Sequence, residues 1–211
     1  MSEEKRVIHT VAGTESPDSW EKIYQTGDAG WDIAKPAPPF VDLVNNPPEW
    51  LKPGKLLNWG CGGGHDANFF AENGFETTAC DFAPSAIKQA QEYADKNDLL
   101  EVYLSDLLNI EEKYHNQFDY VLEHTCFCAI PIKNREGYVE SALKVLKPGG
   151  ILFGLFYRFD EPDEKGPPFY MSDDIVRENF EKDFEFIHWE IPKVSFGKRQ
   201  NREKLIAMKR K

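Results

Sequence analysis

The 211-residue chain carries 36 acidic against 25 basic residues, a net charge of -11, with 41% hydrophobic and 13% aromatic content. Such a length suits one large domain, and this apolar content can fill a core, which excludes wholesale disorder. The acidic balance speaks against a nucleic-acid partner, because phosphate binding needs a basic face, and it suits a cationic ligand.

Residues 1–16 are polar and lack periodicity. They hold no apolar leader, and no later stretch reaches transmembrane length, so the expectation is a soluble cytoplasmic protein without membrane partners. Ser19 is placed to cap a helix beginning at Trp20, with Trp20, Ile23 and Tyr24 on one face. Gly27, Gly30 and the run 36–39 break that pattern, and 40–44 reads as a short helix stopped by Asn45-Asn46-Pro47-Pro48. Three aromatics, Trp20, Tyr24 and Trp31, stand in this turn-rich stretch, which reads as a cap or lid over 1–50, ahead of a core over 51–211. The whole is expected to be one domain.

From Leu56 onward the chain alternates as an α/β protein does. Leu56-Leu57 leads as a strand into Gly60-Cys61-Gly62-Gly63-Gly64. A helix with Ala67, Phe69, Phe70 and Ala71 follows, then a strand over 75–80 closed by Asp81. Helix 85–95 precedes strand 100–104, which ends at Ser105-Asp106. Strand 118–122 ends at Glu123-His124. Helix 135–146, a turn over 147–150, strand 151–157 and a Pro/Gly-rich loop over 158–171 come next. Helix 173–180, strand 184–191 and a final strand 203–208, expected antiparallel, complete the pattern. The fold class is a Rossmann-like, mostly parallel sheet with helices on both faces.

The glycine run lets the backbone turn with positive φ and come close to a ligand, with free N–H groups of a helix start behind it. A dinucleotide site wants G-x-G-x-x-G, but the third glycine position is His65, which disfavours a nicotinamide dehydrogenase. The spacing present, Gly60, Gly62 and Gly64, suits a cofactor without pyrophosphate whose carboxylate and ribose lie over the turn. Asp81, about 20 residues on, stands where a ribose-hydroxyl acceptor belongs.

The motifs NWGCGGGHD, TACD, SDL and LKPGG together resemble the class I S-adenosylmethionine-dependent methyltransferases over residues 55–156. The resemblance implies a seven-stranded sheet ending in an antiparallel hairpin. It implies that Gly60, Cys61 and Gly62 meet S-adenosylmethionine, that Asp81 with Phe82 holds the ribose, and that Asp106 and Leu107 flank the adenine. The stretch SWEKIYQTGDAGWDIAKPAPPFVDLV, the run GCGGGHD, and HTCFCAIP with downstream Arg135 and Tyr138 are similar to the thiopurine S-methyltransferase-like family, nearest its thiol and halide methyltransferases. That likeness adds Trp20, Tyr24, Trp31 and Glu123 to the expected cofactor pocket. Tyr24 stands where relatives often carry Trp, and Glu123-His124 where others have Asp-Tyr or Asp-Arg.

Aromatic faces stabilise a sulfonium cation. In-line transfer rests mostly on alignment, worth roughly 7–11 kcal/mol, and a soft nucleophile such as thiolate, hydrosulfide or halide needs no base. The product would be S-adenosylhomocysteine, and the partner a small-molecule acceptor. A hydroxyl or amine acceptor would need a base, for which His124 is the titratable candidate, though a wall or orienting role suits it better. Arg135 is a candidate for attracting an anionic acceptor, or else a helix-surface ion pair. Cys126 and Cys128 are not expected to be nucleophiles, since the transfer needs no covalent intermediate. The four cysteines form no C-x-x-C pair, so no metal is expected. A non-catalytic cofactor-binding module is the alternative of another class, and a monomer or weak homodimer is the expected assembly.

Overall fold

The computed structural model describes residues 16–158 and 166–211. Helix α1 (Pro17–Thr26) starts at Pro17 instead of Trp20, because proline's fixed φ suits a first helical turn, and Ser16 takes the cap position expected for Ser19. It ends at Gly27, left-handed at φ 73°. Helix α2 (Pro38–Asn45) also begins on proline. Strands and helices then alternate: β1 (Lys55–Trp59), α3 (His65–Glu72), β2 (Glu76–Asp81), α4 (Pro84–Ala94), β3 (Leu100–Leu104), β4 (Phe118–His124), α5 (Arg135–Val145), β5 (Leu146–Tyr157), α6 (Asp173–Phe180), β6 (Phe184–Glu190) and β7 (Glu203–Arg210).

The seven strands lie in the order β3-β2-β1-β4-β5-β7-β6. All pairs are parallel except those made by β7, which runs antiparallel between β5 and β6. The sequence-based fold class stands. One expected turn does not: 147–150 belongs to β5, where Leu146 pairs with Phe118 and the register shifts before Tyr120 meets Ile151. Gly149, at φ 75°, takes up that irregularity, so a turn-like sequence serves as a bulge within a strand. The expected loop over 158–171 lies partly outside the described residues.

Successive residues of β1 feed opposite faces. Leu57 and Trp59 join α5 and α6 through Tyr138, Val145 and Phe180. Leu56 joins Phe40 of α2, Phe70 of α3 and Phe153 of β5. Fully buried Phe, Leu and Trp on both faces are worth roughly 1.5–3 kcal/mol each, which fixes the ends of β1, β2 and β4 rigidly side by side. The chain order reverses between β1 and β4, and a doubly wound sheet opens its ligand crevice at that point.

Candidate active site

A cavity of about 910 Å³ opens at that reversal, over the ends of β1, β2 and β4, with the segment 19–35 as one wall. Its floor is the glycine turn. Gly60 and Gly62 sit at φ 56° and 53°. A Cβ on Gly60 would lie 2.7 Å from Cys126 Sγ, and one on Gly62 would lie 2.8 Å from the Tyr24 hydroxyl. Asp81 is nearly inaccessible and accepts from Gly62 N at 3.0 Å and Ala83 N at 2.9 Å. Burial raises its carboxyl above the usual carboxylate range, and those backbone N–H groups pull it back. Asp106 caps a short 3-10 turn, accepting from Leu108 N at 2.9 Å and Asn109 Nδ2 at 2.7 Å, and this holds Leu107 at the cavity edge.

The aromatic wall is a cluster in itself. Trp31 stands edge-on to Trp20 at 5.1 Å between centroids and to Tyr24 at 5.9 Å, and its Nε1 donates to the Tyr24 hydroxyl at 3.3 Å. Phe82 tilts against Trp20 at 6.4 Å. Burial pushes the Tyr24 hydroxyl well above its ordinary pKa, with the nearby Asp81 charge adding to the effect. Glu21 anchors α1 to α4, taking Ser85 N at 2.8 Å and Ser85 Oγ at 2.6 Å.

Most of the residues expected at the site from the sequence line this one cavity: Trp20, Tyr24, Trp31, Gly60, Cys61, Gly62, Asp81, Phe82, Asp106, Leu107 and His124. Two candidates stand apart. Glu123 is 1% exposed and points behind the wall. Its Oε1 accepts from Cys126 N and Phe127 N, each at 2.9 Å, and its Oε2 from the Tyr138 hydroxyl, which also accepts from Trp59 Nε1 at 3.0 Å. Side chains alternate along β4, so a buried Glu123 turns His124 to the cavity face. Arg135 is 3% exposed, donates Nη2 to the Tyr170 carbonyl at 2.9 Å and lies 5.0 Å from the Phe127 ring centre. It holds the 166–170 segment against α5 and is not part of the cavity lining, so neither the anion-attracting role nor the surface ion pair describes its setting.

The sequence did not single out what surrounds His124. Its Nδ1 donates to Asp66 Oδ2 at 2.6 Å, and its Nε2 accepts from Arg199 Nη1 at 2.9 Å. The assignment follows from the partners, since a carboxylate only accepts and a guanidinium only donates. Asp66 Oδ1 also takes Ala37 N at 2.7 Å, and Arg199 Nη2 donates to the Trp31 carbonyl. His65, at the third-glycine position, approaches Asp32 at 3.3 Å and Tyr93 at 2.9 Å. The His-Asp pair after GCGGG was the one signal for these ties. Nothing in 193–202 pointed to Arg199.

The thiols are unsuited to attack. Burial pushes Cys128 up to about 12 and raises Cys126 and Cys61 well above the ordinary value. Among the described residues no group of His, Cys, Asp and Glu could hold a metal ion, and no helix is long and apolar enough to cross a membrane. The cradle fits a nucleoside with an amino-acid tail. The cavity with Gly60 and Gly62 on its floor leaves room for one, Asp81 offers an acceptor, and Asn58, whose buried Oδ1 has no hydrogen-bond partner among the described residues, belongs to the same lining.

The comparisons with known proteins agree with this geometry. The family model described as Thiopurine S-methyltransferase (TPMT) matches residues 15–210. A probable thiol methyltransferase 2 of Arabidopsis thaliana is 27% identical over 213 residues, spanning 100% of this chain and 92% of its own length. A 2-heptyl-1-hydroxyquinolin-4(1H)-one methyltransferase of Mycobacteroides abscessus is 29% identical over 168 residues, covering 78% of this chain and 70% of its own. The Burkholderia thailandensis 1,6-didemethyltoxoflavin-N1-methyltransferase, solved with S-adenosylhomocysteine bound, shares the fold at a TM-score of 0.72 and 17% identity, covering 92% of this chain and 86% of that one. The chain belongs to the thiopurine S-methyltransferase family and is an S-adenosylmethionine-dependent methyltransferase.

Proposed function

We propose that this methyltransferase acts on the thiolate sulfur of a small organic acceptor, by direct in-line displacement without an enzyme base or a covalent enzyme intermediate. The observation that carries the reading is His124. Both of its ring nitrogens are committed, to Asp66 at 2.6 Å and to Arg199 at 2.9 Å, so the polar group at the end of β4 has no free lone pair for a proton. A thiolate needs none, being already an anion near neutral pH in part, whereas an alcohol does. The cavity of about 910 Å³ also exceeds what an inorganic anion beside the cofactor would fill, which favours an organic thiol over hydrosulfide or halide.

S-adenosylmethionine, when bound, supplies an electrophilic methyl group on a sulfonium. Gly60 and Gly62 let the backbone come close to its tail, and Asp81 accepts from the ribose hydroxyls. Asp106 and Leu107 border the adenine. Trp20, Tyr24 and Trp31 present aromatic surface to the cation and keep water from it. Cys61 and Phe82 close the sides. His124, pinned at both nitrogens, orients the acceptor as a fixed wall.

The test is S-adenosylhomocysteine release across a panel of organic thiols, hydrosulfide, iodide and acidic hydroxyl compounds. Turnover of thiols with His124→Ala retaining a measurable share is expected. Turnover confined to hydroxyl or amine acceptors would sink the reading. A second reading, O-methylation of an acidic hydroxyl with His124 as base, draws on the short Asp66 contact that orients the imidazole, and on the M. abscessus relative, named for a hydroxyquinolone. It requires Arg199 to release Nε2, and it predicts that His124→Ala abolishes turnover while leaving cofactor affinity intact.

A further inference from the structure

The segment from Asp28 to Ala37 holds no helix or strand, yet it carries Trp31. A tryptophan aimed at a cation is useful only if its backbone is fixed, and here no ladder fixes it. Three side chains from elsewhere do. His65 reaches Asp32 at 3.3 Å, Asp66 takes Ala37 N at 2.7 Å, and Arg199 Nη2 donates to the carbonyl of Trp31 itself. Arg199 comes from the connection between β6 and β7, on a short 3-10 turn (Gly197–Arg199), at the far end of the sequence.

The guanidinium is built into its place. Its side chain is 11% exposed, and Nη1 lies 3.5 Å from Oε1 of Glu203, itself 2% exposed, at the first residue of β7. Glu203 Oε2 in turn accepts from the Ser195 hydroxyl. Nη1 also serves His124 Nε2 at 2.9 Å. One planar donor fork therefore spans the aromatic wall and the acceptor wall, a geometry an ammonium cannot reproduce. A donor charge makes such bonds the stronger kind.

We propose that Arg199 is a positioning residue for methyl transfer: by holding the Trp31 carbonyl it sets the indole, already tied to Tyr24, against the site of the sulfonium. The inference rests on the cation-facing role given to Trp31 above. That role has a signature. S-adenosylhomocysteine keeps the adenosine and the amino-acid tail but lacks the methyl group and the positive charge. A residue that aligns an aromatic face with the sulfonium therefore changes the ratio of the two affinities, whereas a residue needed only for folding or for the nucleoside half shifts both together.

The experiment is calorimetric titration of S-adenosylmethionine and S-adenosylhomocysteine into wild type, Trp31→Leu, Arg199→Lys, and Arg199→Met combined with Glu203→Gln. The Glu203 change accompanies Arg199→Met because the single variant leaves a buried carboxylate without its cation. Trp31→Leu and the combined variant are each expected to lower the preference for the sulfonium ligand by about two- to thirty-fold, the range one cation–aromatic contact gives. Arg199→Lys, which keeps the charge beside Glu203 but loses the fork, is expected to lie between. Adding the Arg199 and Glu203 changes to Trp31→Leu is expected to lower the ratio no further. An unchanged ratio in both Arg199 variants, with a lowered one in Trp31→Leu, overturns the proposal and leaves the cation-facing reading of Trp31 standing. An unchanged ratio in Trp31→Leu overturns that reading and this proposal with it.

Discussion

Asp81 has its two carboxylate oxygens on two backbone N–H groups, at 3.0 and 2.9 Å, and still borders the cavity. Asp81→Ala strands both donors and removes the acceptor proposed for the ribose. Bonds to a charged group are worth about 1.5–3 kcal/mol, so a ten- to hundredfold weaker S-adenosylmethionine affinity is expected by calorimetry. Gly62 is constrained from two sides, by φ 53° and by the Tyr24 hydroxyl 2.8 Å from where a Cβ would stand. Gly62→Ala is expected to lower the melting temperature and, by displacing Tyr24, the cofactor affinity, with a backbone cost of about 1–2 kcal/mol. That both line the cavity was legible in the sequence, Gly62 from the glycine spacing and Asp81 from its place at the end of the second strand. Glu123, which the family likeness added to the cofactor pocket, is a buried brace instead, and only the Tyr138 hydroxyl and the two N–H groups around it reveal this.

At the scale of elements, two contacts decide how loops sit on the sheet. The Glu123–Tyr138–Trp59 chain ties β4, α5 and β1 together behind the cavity and holds the 3-10 turn after β4 (Phe127–Ala129), next to Thr125 at φ 57°. A β-branched residue in that region is strained, and the brace is what sustains it. Tyr138→Phe leaves the Glu123 carboxyl without its side-chain donor, and a loss of about 1–3 kcal/mol in urea unfolding is expected. The other contact is His65 with Asp32. Hydrogen bonding to Asp32 raises His65 above its ordinary value, while the same bond holds Asp32 below its own. Asp66 also favours the charged imidazole, and Tyr93 sits on its other nitrogen. The raised imidazole contributes stability that is fully present below about pH 6.5 and fades as pH climbs through its folded value; the depressed carboxyl contributes stability present above about pH 3.9 and lost as pH falls through its folded value. The 28–37 segment is therefore held best between those limits. Hydrogen exchange of its amides is expected to accelerate from neutral to alkaline pH beyond the intrinsic rate change, and His65→Gln is expected to remove that extra dependence.

For the whole molecule, the alternation of elements was plain in the sequence because each strand and helix buries a face whose spacing repeats at its own period. The bulge at 147–150 was hidden because proline and glycine read as a turn until Leu146 is seen paired with Phe118. Arg199 was hidden because its partners, His124 and Trp31, are distant along the chain and a polar connection carries no period. Charge acts at this scale too. Five aspartates line the cavity (Asp28, Asp32, Asp66, Asp81 and Asp106) against Lys22, Lys35 and Arg199, within a chain of net charge -11. Such a field draws a cation, and salt shortens its reach to about 10 Å at 0.1 M. The association rate of S-adenosylmethionine in stopped-flow fluorescence is expected to fall as salt rises, with S-adenosylhomocysteine less affected.

The placement of β7 between β5 and β6 has a consequence for biogenesis. A nascent chain made as far as β5 already contains the glycine turn, Asp81, Asp106 and His124, but it lacks the guanidinium that fastens Trp31. One edge of β5 also waits unpaired until β7 arrives, because β6 is synthesised first and meets the sheet only through β7. An open edge of this kind invites pairing with another chain. A chain that stops after β5 is therefore expected to expose that edge and to aggregate more readily than one that includes β7, as light scattering of the truncated and full chains would show.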